Sequence, residues 1–466
     1  MRECTPLQET KHHAAEIVRT LREGGHQAYF AGGCVRDLLL ARDPADYDVA
    51  TDATPQQVMR IFPRTLAVGE QFGVVLVPNS ASEHALTGED ARRSTSNRYA
   101  AVEVATFRSD GGYSDGRHPD EVRFTKDPRE DVRRRDFTIN GMMLDPATNE
   151  VLDFVGGRND LKAGIIRAIG DPELRFSEDK LRMLRAVRFA ARFDYQIDPA
   201  TLTAIQELAP GIHQVSCERI REELTKMLTE GRARRAFELL DAIRLLQEVL
   251  PEIAKMKGVE QPPQYHPEGD VFVHTLFLLE KLQPDASGSI SKTLAWGALL
   301  HDVGKPPTFR IAPDRIRFDG HVDVGVKMAE EILRRLRFSN YETDQILALV
   351  ENHMRFGDVQ RMKQSTLKRF LRMPRFDEHL ELHRIDCLSS HGHLDSYEYS
   401  REQLHSMPPE AIRPKPLITG RDLIAAGYEP GPRFKEILTA IEDAQLEGRL
   451  TSPKAAMEYA MREFPL

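Results

Sequence analysis

Asp46 and Asp48 stand two apart in ADYDVAT, and a third carboxylate, Glu103, lies in VEVATF. Side chains of a strand point alternately to its two faces, so Asp46 and Asp48 would share one face and hold metal ions jointly. In the second segment Val102, Val104 and Thr106 share a face and leave Glu103 on the other. Oxygen ligands so spaced suit magnesium, which keeps substrate phosphates and water in its shell. With Glu103 the site would hold two ions, one at an attacking hydroxyl and one at a leaving pyrophosphate. An isolated Asp-x-Asp is usually a solvated strand end. Here it follows Gly32-Gly33-Cys34-Val35-Arg36-Asp37. A glycine pair between strand and helix lets backbone amides approach a phosphate, and Arg36 adds a charged fork for the same anion.

The elements that must position these groups are legible in outline. Apolar residues recur at helical spacing from Glu9 to Gly24, QAYFAGG reads as a strand, VRDLLLA as a helix start and DYDVAT as a strand. TPQQVMRIF follows as a helix with Thr54 at its N-cap and Pro55 at N1, then FGVVLVP and VEVATF as strands. This order predicts an α/β head. Residues 79–100 are polar without apolar periodicity and read as a mobile insertion. Beyond about residue 155 the strand signals fade and helical patterns take over. KGVEQPPQYHPEGD, residues 257–270, reads as a linker, and a last boundary falls near MPPEAIRPKP.

The chain has 466 residues, 41% hydrophobic and 29% charged, which excludes collagen-like, disordered and membrane classes and leaves room for several domains. A net charge of −8 argues against a surface basic everywhere, so any basic face is local. Residues 121–240 carry 21 basic and 21 acidic side chains, so the acidic excess lies elsewhere. The four cysteines are far apart, with no CxxC pair, which fits a reducing cytoplasm. Neither a signal peptide nor an apolar run of about 18 residues is expected.

GGCVRDLLLARDPADYDVAT resembles the signature of the tRNA nucleotidyltransferase and poly(A) polymerase family of the DNA polymerase beta superfamily, in its bacterial and eukaryotic class. The usual glycine after the leucines is Ala41 here. DVRRRDFTINGMMLDP is similar to the second motif, which implies that Arg135 contacts the nucleotide while Asp136 and Asn140 support the ribose and local structure. DFVGGRNDL resembles a third motif, a joint between head and neck, and SEDKLRMLRAVRFA the fourth, which in the family selects the incoming base. SCERIREELTKML is a weaker match to a helix that supports the fourth.

Residues three apart on a helix are about 60° apart around its axis, so Asp179, Arg182 and Arg185 would share one broad face, with Arg188 on its flank. Cytosine and adenine both present an amino donor beside a ring-nitrogen acceptor, whereas uracil and guanine present the reverse. A carboxylate at Asp179 and a guanidinium at Arg182 would accept the first two bases and reject the others. The competing reading is a surface ion pair worth about 0.2–0.5 kcal/mol.

Farther on, His274, His301-Asp302 and Asp386 occur in an order that resembles the HD superfamily of metal-dependent phosphohydrolases, in which those four side chains bind metal from separate helices. His321 and His353 are further candidate ligands. Imidazole with carboxylate suits a transition metal, or a second metal type beside magnesium, better than magnesium alone.

The expectation is therefore an α+β protein. A DNA polymerase beta-like nucleotidyltransferase head with a mixed sheet would span 1–155, and an all-α neck for base selection and RNA binding 156–256. An HD helical domain would span 262–405 and a helical tail 406–466. The resemblance implies a cytoplasmic, metal-dependent enzyme adding C and A from CTP and ATP to the tRNA 3′ end, with no membrane partner. Its catalytic residues would be Asp46, Asp48 and Glu103; Gly33, Arg36, Arg135, Asp179, Arg182, Arg185 and Arg188 would bind the nucleotide. Alternatives are a poly(A) polymerase, an A-only or CC-only enzyme, or an HD phosphohydrolase as the main activity.

Overall fold

The structure, a computed structural model, describes residues 6–67, 72–79, 101–112, 116, 120–313 and 315–465. The expected insertion at 79–100 lies, beyond its first residue, outside them. Two compact units divide the chain: residues 1–227 with 235–249, and residues 228–234 with 250–466.

The first unit is built on a seven-stranded mixed sheet. Its strands in chain order are β1 (Ala28–Ala31), β2 (Asp48–Thr51), β3 (Leu66–Ala67), β4 (Val74–Pro78), β5 (Ala101–Thr106), β6 (Met142–Leu144) and β7 (Val151–Asp153). They lie in the order β3-β4-β5-β2-β1-β6-β7, and only β2 and β5 run parallel. Val102, Val104 and Thr106 are buried while Glu103 is exposed, as alternation requires. Phe30, Val49, Phe107 and Met142 belong to the core.

Helix α1 is Pro6–Glu23, and α2, Gly33–Leu39, follows β1 directly. Gly32 caps α2 at φ 76°, where a side chain would be strained and its Cβ would stand 2.8 Å from the Nη1 of Arg135. Helix α3, Pro55–Ile61, starts as the sequence indicates: the Thr54 hydroxyl accepts from the Gln57 amide, and Pro55 occupies N1.

After α4 (Pro128–Arg133) come α5 (Pro172–Glu178), α6 (Leu181–Phe193) and α7 (Cys217–Thr229). The fourth motif is therefore not one helix. Asp179 ends α5 with extended backbone (φ −146°, ψ 103°), and the chain turns at Lys180 before α6 begins. Asp179 thus lies at a helix junction and not on the face that carries Arg182 and Arg185.

Among the described residues the second unit is helical apart from one short antiparallel strand pair, 310–311 with 316–317. Its central helices are α8 (Val271–Glu280), α9 (Lys292–Leu300), α10 (His321–Arg335), α11 (Asn340–Asn352) and α12 (Phe376–Ser389), around a buried Trp296. Ile418, Leu423, Ile437 and Ile441 form a separate small core farther on. Residues 257–270, expected as a linker, are tied to α8. The Asp270 side chain accepts from the Val273 amide at 2.8 Å and the Gly258 amide at 2.6 Å, and the Val259 carbonyl receives the Val271 amide. Among the described residues no helix is long and apolar enough to cross a membrane.

Candidate active sites

Sheet register assembles the head site. Asp48 opens β2 opposite Glu103 on the parallel strand β5, and opposite Ala31, the last residue of β1 before the glycine turn. Asp46 precedes the strand, so its place comes from the turn and not from strand alternation. Burial, then the charges of Asp46 and Glu103, push the Asp48 carboxyl up to about 7, against the pull of Arg135. Glu103, exposed on its strand but partly withdrawn from water among these carboxylates, is raised by that desolvation and then by the charge of Asp46. Mutually repelling oxygens of this kind are what a hard divalent cation neutralises, so the residues fit a metal.

Arg135 stands beside this cluster, its Nη1 over Gly32 and its Nη2 3.1 Å from the buried Asp131. Arg36 departs from expectation. Its guanidinium is buried, with Nε 2.8 Å from Asp37 Oδ1, Nη1 2.6 Å from Asn140 Oδ1, and the ring of Phe193 beneath it. Its fork is committed inside the protein, where it braces the turn instead of presenting a free anion fork.

The expected base readers are placed one by one. Asp179 is held by both terminal guanidinium nitrogens of Arg219, at 2.7 and 3.2 Å, and its Oδ1 also accepts from the Leu181 amide. Arg182 donates to Glu178 at 2.8 Å and to the carbonyls of Arg175 and Arg134. Asp179 and Arg182 are therefore each gripped by other residues, and the surface ion pair between them does not form. Arg185 donates twice to Asp136 Oδ2, at 2.8 and 2.6 Å. Burial would raise Asp136, but Arg185 and the bonds from Asn140 and the Phe137 amide win and hold it near 2. Arg188 is interior, paired with the buried Glu223 at 2.6 Å and stacked on Phe189, so it binds α6 to α7.

In the second unit the structure brings together all six expected residues. His274, His301 and Asp386 form one set whose ligand atoms lie within 4.8 Å of one another, and Asp302, His321 and His353 form another. Asp302 Oδ2 faces His301 at 3.1 Å, while its Oδ1 faces His321 and His353 at 3.9 and 3.8 Å. The buried Nε2 atoms of His274, His301, His321 and His353 all turn inward, toward the carboxylate oxygens of Asp302 and Asp386. Four inward imidazole nitrogens with two carboxylates fit a transition-metal centre. Burial lowers His353 to about 4 against the charge of Asp302, whereas bonds to Asp386 and Glu268 overcome burial and lift His274 to about 9. A cavity of about 430 Å³ opens on the cluster, walled by Tyr265, His266, Lys305, Arg315 and Phe318 among others.

Sequence reasoning missed the partners: Arg219 on Asp179, Glu268 on His274, and Gln261, which receives the Nζ of Lys305 at 2.7 Å while that Nζ also lies 2.7 Å from Asp302. A titratable pair, His266 and Glu268, inside a proline-rich stretch was the available signal for the last two.

A mixed sheet that gathers three carboxylates beside a glycine turn, followed by helices and a histidine-carboxylate cluster, defines a metal-dependent nucleotidyltransferase with an HD unit. Residues 28–167 match the family described as the poly A polymerase head domain, 194–257 the probable RNA and SrmB-binding site of polymerase A, and 272–389 the HD domain. The CCA-adding enzyme of Bacillus subtilis is 31% identical over 446 residues, 96% of either chain. That of Geobacillus stearothermophilus is 41% identical over 235 residues, 50% of this chain and 52% of its own. Among solved structures, the Bacillus stearothermophilus CCA-adding enzyme in complex with CTP aligns over 98% of both chains with a TM-score of 0.72 and 28% identity. A Thermotoga maritima CCA-adding enzyme complexed with tRNA shares the fold, with a TM-score of 0.56, 19% identity and coverage of 97% and 95%. The chain belongs to the CCA-adding enzyme family.

Proposed function

We propose that this nucleotidyltransferase adds C and A from CTP and ATP to the 3′ end of tRNA, in the cytoplasm. The observation that carries the reading is the convergence of Asp46, Asp48 and Glu103 on and beside neighbouring strands, next to the Gly32-Gly33 turn and Arg135. The oxygen-only donor set favours magnesium, which when bound supplies charge neutralisation at the phosphates and a more acidic attacking hydroxyl. The terminal tRNA hydroxyl oxygen bonds to the α-phosphorus, the bond to the bridging oxygen breaks, and pyrophosphate leaves. Gly33 lets the backbone approach the triphosphate, and Arg135 faces it with Nη1. Asp179 accepts from the amino group of C or A, and Arg182 donates to the neighbouring ring nitrogen. Arg36 and Arg185 act from behind, through Asn140 and Asp136. The working division is a head at 1–155, a neck at 156–256, an HD domain at 262–405 and a tail at 406–466.

The test supplies purified protein with tRNA lacking CCA and each labelled nucleotide in turn. Incorporation of C, C and A supports the reading; long A tracts on unrelated RNA would make it a poly(A) polymerase. The inward-facing imidazole nitrogens and carboxylates favour a second activity, metal-dependent phosphate-ester hydrolysis at the HD centre, with Asp302 shared between two ions. Phosphate released from a 2′,3′-cyclic phosphate or a 2′-nucleotide should survive substitution of Asp46 and Asp48 and disappear in His301→Ala.

A further inference from the structure

An imidazole that binds metal through Nε2 carries its proton on Nδ1, and that proton needs an acceptor. Two histidines of the HD centre, His301 and His353, cap helix C-termini, where carbonyls are left over by the helix, and His321 opens α10 just after the turn that carries the Phe318 carbonyl. The Nδ1 atoms of His301, His321 and His353 stand 2.9, 2.9 and 2.7 Å from the carbonyls of Ala298, Phe318 and Val350. His274 has no such choice, being the fourth residue of α8. The Asp270 carbonyl takes its own amide, and the Val271 carbonyl receives the Thr275 hydroxyl at 2.8 Å. A side chain takes over instead: Glu268 Oε1 lies 2.7 Å from His274 Nδ1 and 2.9 Å from His266 Nδ1. An ionised carboxylate oxygen only accepts, so both rings must carry their protons on Nδ1.

We propose that Glu268 is the positioning residue of this centre: it holds a proton of His274 on Nδ1, so that Nε2, turned toward Asp386 and Asp302, is the atom left for a metal, and it holds His266 at the cavity wall. This rests on the reading of the centre as a metal site. The geometry behind it is that His274 Nε2 stands 3.1 Å from Asp386 Oδ1, and Glu268 is itself buried, with 7% of its side chain exposed. His266, Glu268 and His274 are also close enough to be ligands themselves. An ion there would strip the proton from His274 Nδ1 and demand the opposite tautomer, so the two arrangements are separable.

The experiment uses the full chain with Asp46→Asn and Asp48→Asn, which keeps the head carboxylates out of the metal titration. Histidine-selective nitrogen NMR of the metal-free protein reads the tautomer of His274, and titration with cobalt(II) alone reads affinity. Read at a pH where the ring has lost its second proton, the parent should show His274 as Nδ1–H. Glu268→Leu should move it toward Nε2–H and weaken cobalt binding about 10–100-fold, the usual reach of an outer-shell partner. Glu268→Gln, which keeps an accepting oxygen, should fall between, and it decides the matter if the leucine variant does not fold. An Nε2–H tautomer in the parent, or an Nδ1–H tautomer and cobalt affinity unchanged by both substitutions, overturns the proposal. A tautomer that shifts as stated in a parent that binds no cobalt leaves the positioning role standing and refutes the metal reading instead.

Discussion

In the head, three carboxylates on and beside neighbouring strands crowd one another with Arg135 as their nearby counter-charge, and Asp48 is raised to about 7 as a result. In the HD unit, six side chains from separate helices converge with each Nδ1 already bonded and each Nε2 turned inward. The first arrangement stores repulsion that a cation relieves. The second stores orientation, so that ligand atoms are aimed before any ion arrives. Electrostatic need and geometric preparation are separate routes to a metal site, and one chain uses both.

The strongest way to break this comparison is to exchange losses. Asp46→Asn with Asp48→Asn should lower the rate of nucleotide incorporation roughly a thousandfold or more, since several kcal/mol of charge stabilisation go with them. Phosphate-ester hydrolysis should be unaffected. His301→Ala or Asp302→Ala should do the converse. A variant that lowers both activities alike would mean that the two centres are not independent.

Next in size is the dependence of metal affinity on pH. A folded-state value raised above the ordinary one means a proton is retained to higher pH, and that proton must leave when metal binds. At the head, affinity should rise about tenfold per pH unit up to about 7 and level off above it. At the HD centre, where His274 keeps its proton to about 9, the rise should continue two units further. Calorimetric titrations in buffers of different ionisation heat would count the protons. Equal plateaus at the two centres would remove the distinction.

Smaller is the effect of Arg219→Ala on the choice of base. Arg219 fixes both oxygens of Asp179, and a misplaced carboxylate no longer tells an amino donor from a carbonyl. Preference for C and A over U and G should fall about tenfold to a hundredfold, read as a ratio of kcat/KM values, within the range of about 1–3 kcal/mol for one bidentate contact. Arg219→Lys should recover little, because an ammonium cannot make the paired contact.

Much of the head was legible because its chemistry is local in sequence. Gly32-Gly33, Asp46 and Asp48 fall in one stretch, alternation alone turned Glu103 outward, and the Thr54 cap is a short-range signal. The HD residues were legible as an ordered set of scarce residue types. What periodicity could not give was partnership at long separation. Asp179 and Arg219 are 40 residues apart, and Arg36 and Asn140 are 104 apart, so nothing local marked Arg36 as interior. The break at Asp179–Lys180 was hidden because Lys, Leu and Arg all favour helix, and the turn is enforced by the grip of Arg219 and the Leu181 amide.

Arg188 gives the smallest effect on the reaction and the sharpest distinction between aimed and structural groups. Its pair with Glu223 is buried at both ends, with 6% and 3% of the side chains exposed. Arg188→Met alone leaves the Glu223 carboxylate without its main partner, at a cost of about 3–5 kcal/mol of stability. Adding Glu223→Leu removes that orphan and should restore most of the loss, since an apolar pair of similar volume is often neutral or better. Base preference in the double variant should stay within about twofold of wild type, because the Arg188–Glu223 pair braces α6 against α7. Chemical denaturation and the C-and-A against U-and-G ratio would be measured on the same samples. A double variant that regains stability yet loses selection would return Arg188 to the nucleotide.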